Sequence, residues 1–144
     1  MTDISTPTAS PSIYRWFAIL TGLTSLSIFV QAIVAGLFVS QSHRNSWIDV
    51  HGIVANVVVV LALATAIFAI VTLRRVLRSV MWGSAVLFVL VVIQVVLGHL
   101  ITDASLDGLI AVHVPLAFVV FGLSGWLAAQ SAIARRRAGA IAKA

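Results

Sequence analysis

Four histidines and two glutamines stand out in a chain that offers few other side chains able to do chemistry. Of its 144 residues, 61% are hydrophobic and 9% are charged, and there is no cysteine. The lack of cysteine excludes thiolate metal sites, iron–sulfur ligation and cysteine nucleophiles. Chemistry must therefore come from imidazole, carboxylate, guanidinium and amide groups. Those that lie inside apolar runs are the strongest candidates, because ionisable groups in hydrocarbon are costly to keep.

The histidines and glutamines follow an internal repeat. Gln31 begins the stretch Gln-Ala-Ile-Val-Ala-Gly-Leu-Phe, and Gln94 begins the similar stretch Gln-Val-Val-Leu-Gly-His-Leu-Ile. Each is followed by a short connection and a Val-His pair, which ends in His51 or His113. Two hairpins in the same orientation imply a pseudo-two-fold axis along the membrane normal. The repeat therefore predicts that His51 and His113 lie at similar depth and aim at one point on that axis.

Two imidazoles placed in this way are suited to haem iron. Neutral imidazole is a good iron ligand, and a helix bundle can supply two axial ligands from facing helices. We therefore expect one haem b with His51 and His113 as its axial ligands. A flat macrocycle also needs close approach to the backbone, which Gly36 and Gly98 can allow.

Other polar groups near this pair have expected roles of their own. Gln31 and Gln94 lie deeper than the histidines and should hydrogen-bond across helices, with an axial histidine or a bound water as their functional partner. His43, His99 and Arg44 lie near the outer surface and are natural partners for haem propionates. Each of these residues also has a purely structural interpretation. The histidines and glutamines can be interhelical contacts, the glycines can allow close helix packing, and Arg44 can be an ordinary interfacial residue.

A zinc or copper site is the alternative to haem. The four histidines lie near the outer surface together with Asp49, Asp103 and Asp107, and such groups can bind either metal. We expect none of them to pair on one helix face at i, i+4 spacing. That expectation argues against a compact metal site.

Four apolar runs must position these residues. Each exceeds the roughly 20 residues that a helix needs to cross a bilayer. They cover residues 13–39, 47–73, 79–101 and 109–133. The chain is therefore predicted to be an all-α integral membrane four-helix bundle built from two repeated hairpins. We divide it into a disordered cytoplasmic tail (1–12), a haem-binding domain (13–134) and a basic cytoplasmic tail (135–144).

The distribution of positive charge predicts the orientation. All of the nine Lys and Arg residues except Arg44 flank the spans on one side, and cytoplasmic flanks carry such an excess. Both termini are thus expected in the cytoplasm, in a bacterial plasma membrane. Topology and anionic lipid explain the basic tail, so no nucleic-acid partner is expected. The expected partners are the bilayer and a redox protein or quinone, and a homodimer is an alternative assembly.

The pattern Gln94-Val-Val-Leu-Gly98, followed by a connection and by His113 near the start of the next helix, resembles the helix-pair pattern of haem A synthase. The resemblance covers nearly the whole chain, yet only one four-helix half of that duplicated eight-helix enzyme. It implies that His51 and His113 hold haem.

The chain also departs from that family. It has no Glu, with Ile48 near where the enzyme's pattern places a Glu before the second-helix histidine, and the outer-loop cysteines of many bacterial members are missing. The resemblance thus implies a small b-type cytochrome or haem-handling protein rather than a complete synthase. An enzyme that oxidises haem or quinol is the alternative.

Overall fold

The chain folds into four long helices, in agreement with the sequence. A computed structural model describes residues 9–40 and 44–141. The helices are α1 (Pro11–Ser40), α2 (Arg44–Leu73), α3 (Arg78–Thr102) and α4 (Ile110–Ile141), and a 3₁₀ turn, Asp107–Leu109, precedes α4. The described residues contain no strand. All four helices are long and apolar enough to cross a membrane, which is the architecture of a multi-pass membrane protein.

The helices form a four-membered ring. In the described part of the chain α1 packs on α2, α2 on α3, α3 on α4 and α4 back on α1, while the diagonal pairs make no comparable contact. The end of α1, the start of α2 and the α3–α4 connection lie at one end, here called the histidine end. The α2–α3 turn and both ends of the described chain lie at the opposite, terminal end. Because no helix occupies the centre of the ring, a cavity can form there where side chains leave space.

Helix α4 extends beyond its predicted span. The sequence predicts a span over 109–133 and a separate basic tail, but the helix continues through Arg135 and Arg137 to Ile141. Alanine and arginine are strong helix formers, so this stretch has no local reason to stop. Ala134 and Ala138 also pack against the core cluster. The basic residues are therefore carried on the last turns of α4, and the predicted boundary at 134/135 falls inside a helix.

Small hydroxyl-bearing side chains pack between the helices on the terminal side of the histidines. The Oγ1 atoms of Thr24 on α1 and Thr65 on α2 lie 3.0 Å apart, and Thr21 of α1 lies 3.2 Å from Ser131 of α4. All four residues are buried. Small residues let helix backbones approach closely in a membrane, and their hydroxyls hydrogen-bond between helices. The bundle is thus packed shut below the histidine end.

Trp126 of α4 packs directly against Gly83 of α3. A Cβ built on Gly83 lies 2.7 Å from Cζ3 of Trp126 and 3.3 Å from Cδ2 of Leu127. We expect Gly83→Ala to destabilise the bundle by about 1–3 kcal/mol, the usual cost of overpacking. The measurement is unfolding by sodium dodecyl sulfate followed by circular dichroism. Gly22→Ala is the control, because a Cβ there meets nothing within 4 Å. Equal stability of the two variants would contradict this packing.

Candidate functional site

Each hairpin contains the same interhelical hydrogen bond. Nε2 of Gln31 on α1 donates to the carbonyl oxygen of His51 on α2, and Nε2 of Gln94 on α3 donates to the carbonyl oxygen of His113 on α4; both distances are 3.0 Å. The bond across helices was predicted, but its acceptor is the backbone of the histidine rather than the imidazole. A carbonyl oxygen has a second lone pair, so it can accept this bond in addition to its helical one.

These matched bonds place His51 and His113 at equivalent positions in the two hairpins. Both histidines are half-buried, and both line one cavity of about 520 Å³ between the four helices. The floor consists of one buried apolar residue from each helix: Ile28, Val58, Val91 and Val120. The polar residues of the lining are Gln31, His51, Asn56, Gln94, His99, Thr102 and His113. The structure thus brings the predicted histidine pair and glutamine pair to one site.

Four polar atoms in this site have no hydrogen-bond partner among the described residues. They are Nδ1 of His51, Nδ1 of His113, Oε1 of Gln31 and Oε1 of Gln94, and all four are buried. Leaving a buried polar group unpaired is costly, and such groups are rare enough in proteins that each needs an explanation. The four atoms form two pairs related by the repeat. Water or a ligand held between the hairpins would give these four atoms partners.

The neighbours of the imidazoles restrict where a ligand can lie. The ring of Phe38 meets the ring of His51 edge-on, with centroids 5.4 Å apart and planes at 80°. Gly98 lies beside His113, and a Cβ added there would be 3.9 Å from Cε1 of that ring. Gly98 thus lies in the cavity wall beside His113, where an added methyl group would make an ordinary van der Waals contact with the ring.

Gly36, the other glycine predicted to lie at the site, is not next to a histidine ring. It is exposed, it is not part of the cavity lining, and a Cβ there would meet nothing within 4 Å. The repeat explains the difference, because the residue equivalent to Gly98 is Ala35, which does line the cavity. Counting from each glutamine, Gly36 instead matches His99.

A polar cluster lies at the rim of the cavity on α3. Nδ1 of His99 is 3.0 Å from Oδ2 of Asp103, and Thr102 donates its hydroxyl to Oδ1 of the same carboxylate, also at 3.0 Å. His99 and Asp103 are an i, i+4 pair, so the expectation that no such pair would form was wrong. Thr102 was not singled out, because one threonine at a helix end resembles many others. The hydrogen bond from His99, and then that from Thr102, lowers the pKa of Asp103.

The remaining predicted residues are only partly described. Helix α2 begins at Arg44, but the placement of its side chain, and all of His43, lie outside the described residues. Within residues 9–40 and 44–141, no three His, Asp or Glu side chains come together as metal ligands. The described part therefore does not assemble the zinc or copper site considered as an alternative.

The rim cluster generates a prediction about pH. Because the folded pKa of Asp103 is lowered, this group favours the folded state above its ordinary pKa. The benefit is lost as the pH falls through the lowered value. We expect carboxyl-carbon NMR of the wild-type protein to show Asp103 titrating below the usual aspartate range. In His99→Ala the titration should move up toward that range, and an unchanged midpoint would contradict the contact.

Comparisons with known proteins do not identify a relative of this chain. No protein-family model, no curated protein and no solved structure matches it. The resemblance to haem A synthase therefore stays a prediction. The features of the chain that bear on its function are the two histidines, the two glutamines and the cavity between them.

Proposed function

We propose that this protein binds haem b in the membrane, with His51 and His113 as axial ligands, and transfers electrons. The single observation that carries the proposal is the symmetric pair of imidazoles on one cavity, each with a buried Nδ1 that has no partner among the described residues. Two facing histidines on separate hairpins can hold one iron between them. The resemblance to haem A synthase supports the same two residues.

The cavity fits a flat, largely apolar cofactor. Its volume of about 520 Å³ lies within the roughly 300–1,000 Å³ of pockets that enclose small molecules. Alanine, valine, glycine and phenylalanine contribute most of its apolar lining. Gly98 leaves room beside His113, and the buried residues Val58 and Val91 close the floor. The donor set of two neutral imidazoles in an apolar wall suits haem better than a bare zinc or copper ion, which requires more protein ligands.

Haem bound here would supply a one-electron redox centre, and two strong axial ligands would leave it no open coordination position. The chain's own residues hold and shield it. Gln31 and Gln94 fix the backbone that carries each histidine. The apolar floor excludes water from below. At the rim, His99 offers an imidazole to a propionate, and we assign the same role to Arg44 and His43.

The distribution of arginine supports the membrane orientation proposed with this function. The α2–α3 turn and the last turns of α4 bring the segments 74–78 and 135–137 to the terminal end, and both are rich in arginine. Positive residues mark the cytoplasmic side of bacterial membrane proteins. The cavity would then lie near the outer leaflet of a bacterial plasma membrane, with both termini in the cytoplasm.

Visible absorption spectra of purified protein test the haem proposal. Wild-type protein should show sharp reduced α and β bands and about one haem b per chain by the pyridine haemochrome assay. His51→Ala and His113→Ala should each abolish the low-spin spectrum, because each removes one axial ligand. His99→Ala is the comparison variant: it should keep the low-spin spectrum, because both axial histidines remain, and bind haem more weakly, because a propionate contact is lost. Full retention of a bis-histidine spectrum in either ligand variant, or a wild-type protein that stays colourless after haem addition, would overturn the assignment.

The two glutamines should contribute equally to haem retention. Gln31→Leu and Gln94→Leu each remove a 3.0 Å bond to the carbonyl of the neighbouring histidine. Such a bond contributes about 1 kcal/mol, which corresponds to about fivefold faster haem loss. Transfer of haem to apomyoglobin measures this rate. A large effect in one variant and none in the other would show that the hairpins do not hold the ligand symmetrically.

A further inference from the structure

The imidazole of His51 can rotate about the bonds that join it to the backbone. The hydrogen bond from Nε2 of Gln31 fixes the carbonyl oxygen of His51, and so the register of the backbone, but it leaves the direction of the ring open. In metal-binding histidines a hydrogen bond from the second ring nitrogen usually fixes that direction. Nδ1 of His51 makes no such bond within the part of the chain that the structure describes. Any hold on the ring must therefore come from packing.

Phe38 of α1 makes a packing contact of this kind. Its ring and the imidazole of His51 meet edge-on, with centroids 5.4 Å apart and planes at 80°. This is one of the preferred arrangements of two aromatic rings. Phe38 is half-buried and is not part of the cavity lining, whereas His51 is. The contact therefore reaches the imidazole without taking up space in the cavity.

Helix geometry explains why Gln31 and Phe38 contact different parts of the same histidine. The two residues are seven apart, which puts them on one face of α1, about 10.5 Å apart along its axis. In a helix the carbonyls point toward the C-terminus, and the side chains lean toward the N-terminus. Because α2 runs antiparallel to α1, the carbonyl of His51 faces Gln31 and its ring faces Phe38. Helix α1 thus holds both the backbone and the ring of His51.

The second hairpin lacks the aromatic part of this arrangement. Counted from each glutamine, the residue equivalent to Phe38 is Ile101 of α3. The hydrogen bond from Gln94 to the carbonyl of His113 matches that of the first hairpin. Among the described residues, however, no aromatic ring pairs with His113. An aliphatic side chain packs but has no quadrupole with which to orient a neighbouring ring. The two histidines therefore match in backbone position and differ in how their rings are held.

We propose that Phe38 is a positioning residue that fixes the imidazole of His51 and makes it the preorganised ligand of the pair. His113 is the adjustable ligand, whose ring turns to complete the site. The proposal rests on the haem-binding function for its purpose, but the hold of Phe38 on His51 is a property of the chain itself. Ordering one imidazole in advance lowers the entropy cost of binding, and a freer second ring can adapt to the bound group.

Histidine-ring NMR of the protein without haem tests the contact directly. Protein labelled with carbon-13 at the imidazole Cδ2 position is studied in lipid nanodiscs, and its signals are assigned with variants that replace each histidine by alanine. We expect a higher ring order parameter for His51 than for His113. Phe38→Leu should lower the value of His51 toward that of His113, and Phe38→Tyr, which keeps the ring, should not. Ile101→Phe, which copies Phe38 into the second hairpin, should raise the value of His113.

Haem affinity tests the consequence for binding in a double-mutant cycle. In His113→Ala the ordered His51 remains, so Phe38→Leu should weaken haem binding about fivefold in this background, the effect of one lost aromatic pair. In His51→Ala the same substitution should leave the affinity unchanged, because the ring that Phe38 contacts is gone. A general loss of stability would instead weaken binding equally in both backgrounds.

The outcomes separate this proposal from the haem assignment. A protein that stays colourless after haem addition overturns the haem assignment, while NMR of the same sample still decides whether Phe38 orders His51. Equal order parameters of His51 in wild type and Phe38→Leu overturn the positioning role, as does an equal loss of affinity in both backgrounds. Should Phe38→Leu fail to fold by circular dichroism, Ile101→Phe decides the question by a gain of order at His113, and no gain there overturns the proposal.

Discussion

Two hydrogen bonds from glutamine side chains to histidine carbonyls set the relation between the helices of each hairpin. In hydrocarbon no water is present to hydrogen-bond an unpaired amide or carbonyl, so leaving one unpaired costs free energy. The Gln31–His51 and Gln94–His113 hydrogen bonds therefore give each pair of helices a preferred register. Equal register in both hairpins puts the two imidazoles on one cavity. The hydroxyl layer around Thr24 and Thr65 then closes the bundle below it. The site depends on both: the glutamine hydrogen bonds position its histidines, and the packed hydroxyl layer supports its floor.

Much of this arrangement could be predicted from the sequence, because the repeat places equivalent residues at equivalent positions in the two hairpins. The four apolar runs predicted the bounds of the helices to within a few residues, except that α4 continues to Ile141. The shared Gln and His positions predicted the pair of interhelical bonds and the common cavity. The acceptor of those bonds could not be predicted, because a glutamine can reach a carbonyl or an imidazole with similar ease. Gly36 and Gly98 were predicted to play the same role because both are glycines near the glutamines. Counted from each glutamine, however, Gly98 is equivalent to Ala35, and Gly36 does not line the cavity.

The two hairpins are alike at their histidines and glutamines and differ at other positions of the cavity lining. The histidines and glutamines occupy matching positions, whereas Asn56, five residues after His51, is matched by Phe118, five residues after His113, and both line the cavity. The difference is invisible to composition, since one asparagine among valines hardly changes mean hydropathy. It emerges when the two hairpins are aligned on their histidines. Divergence at these positions lets one scaffold combine matched histidines with a lining that differs between the hairpins.

The placement of the Gln–His bonds also bears on how the protein is made. Each bond joins two helices of the same hairpin, so it can form as soon as that hairpin has entered the membrane, before the rest of the chain is synthesised. The cavity needs both hairpins, because its four walls come from α1 to α4. Insertion therefore delivers two half-sites, each with its histidine already held in register, and lateral docking of the hairpins is the step that creates the cavity. A mutation at the docking faces would leave two well-formed hairpins and no site between them.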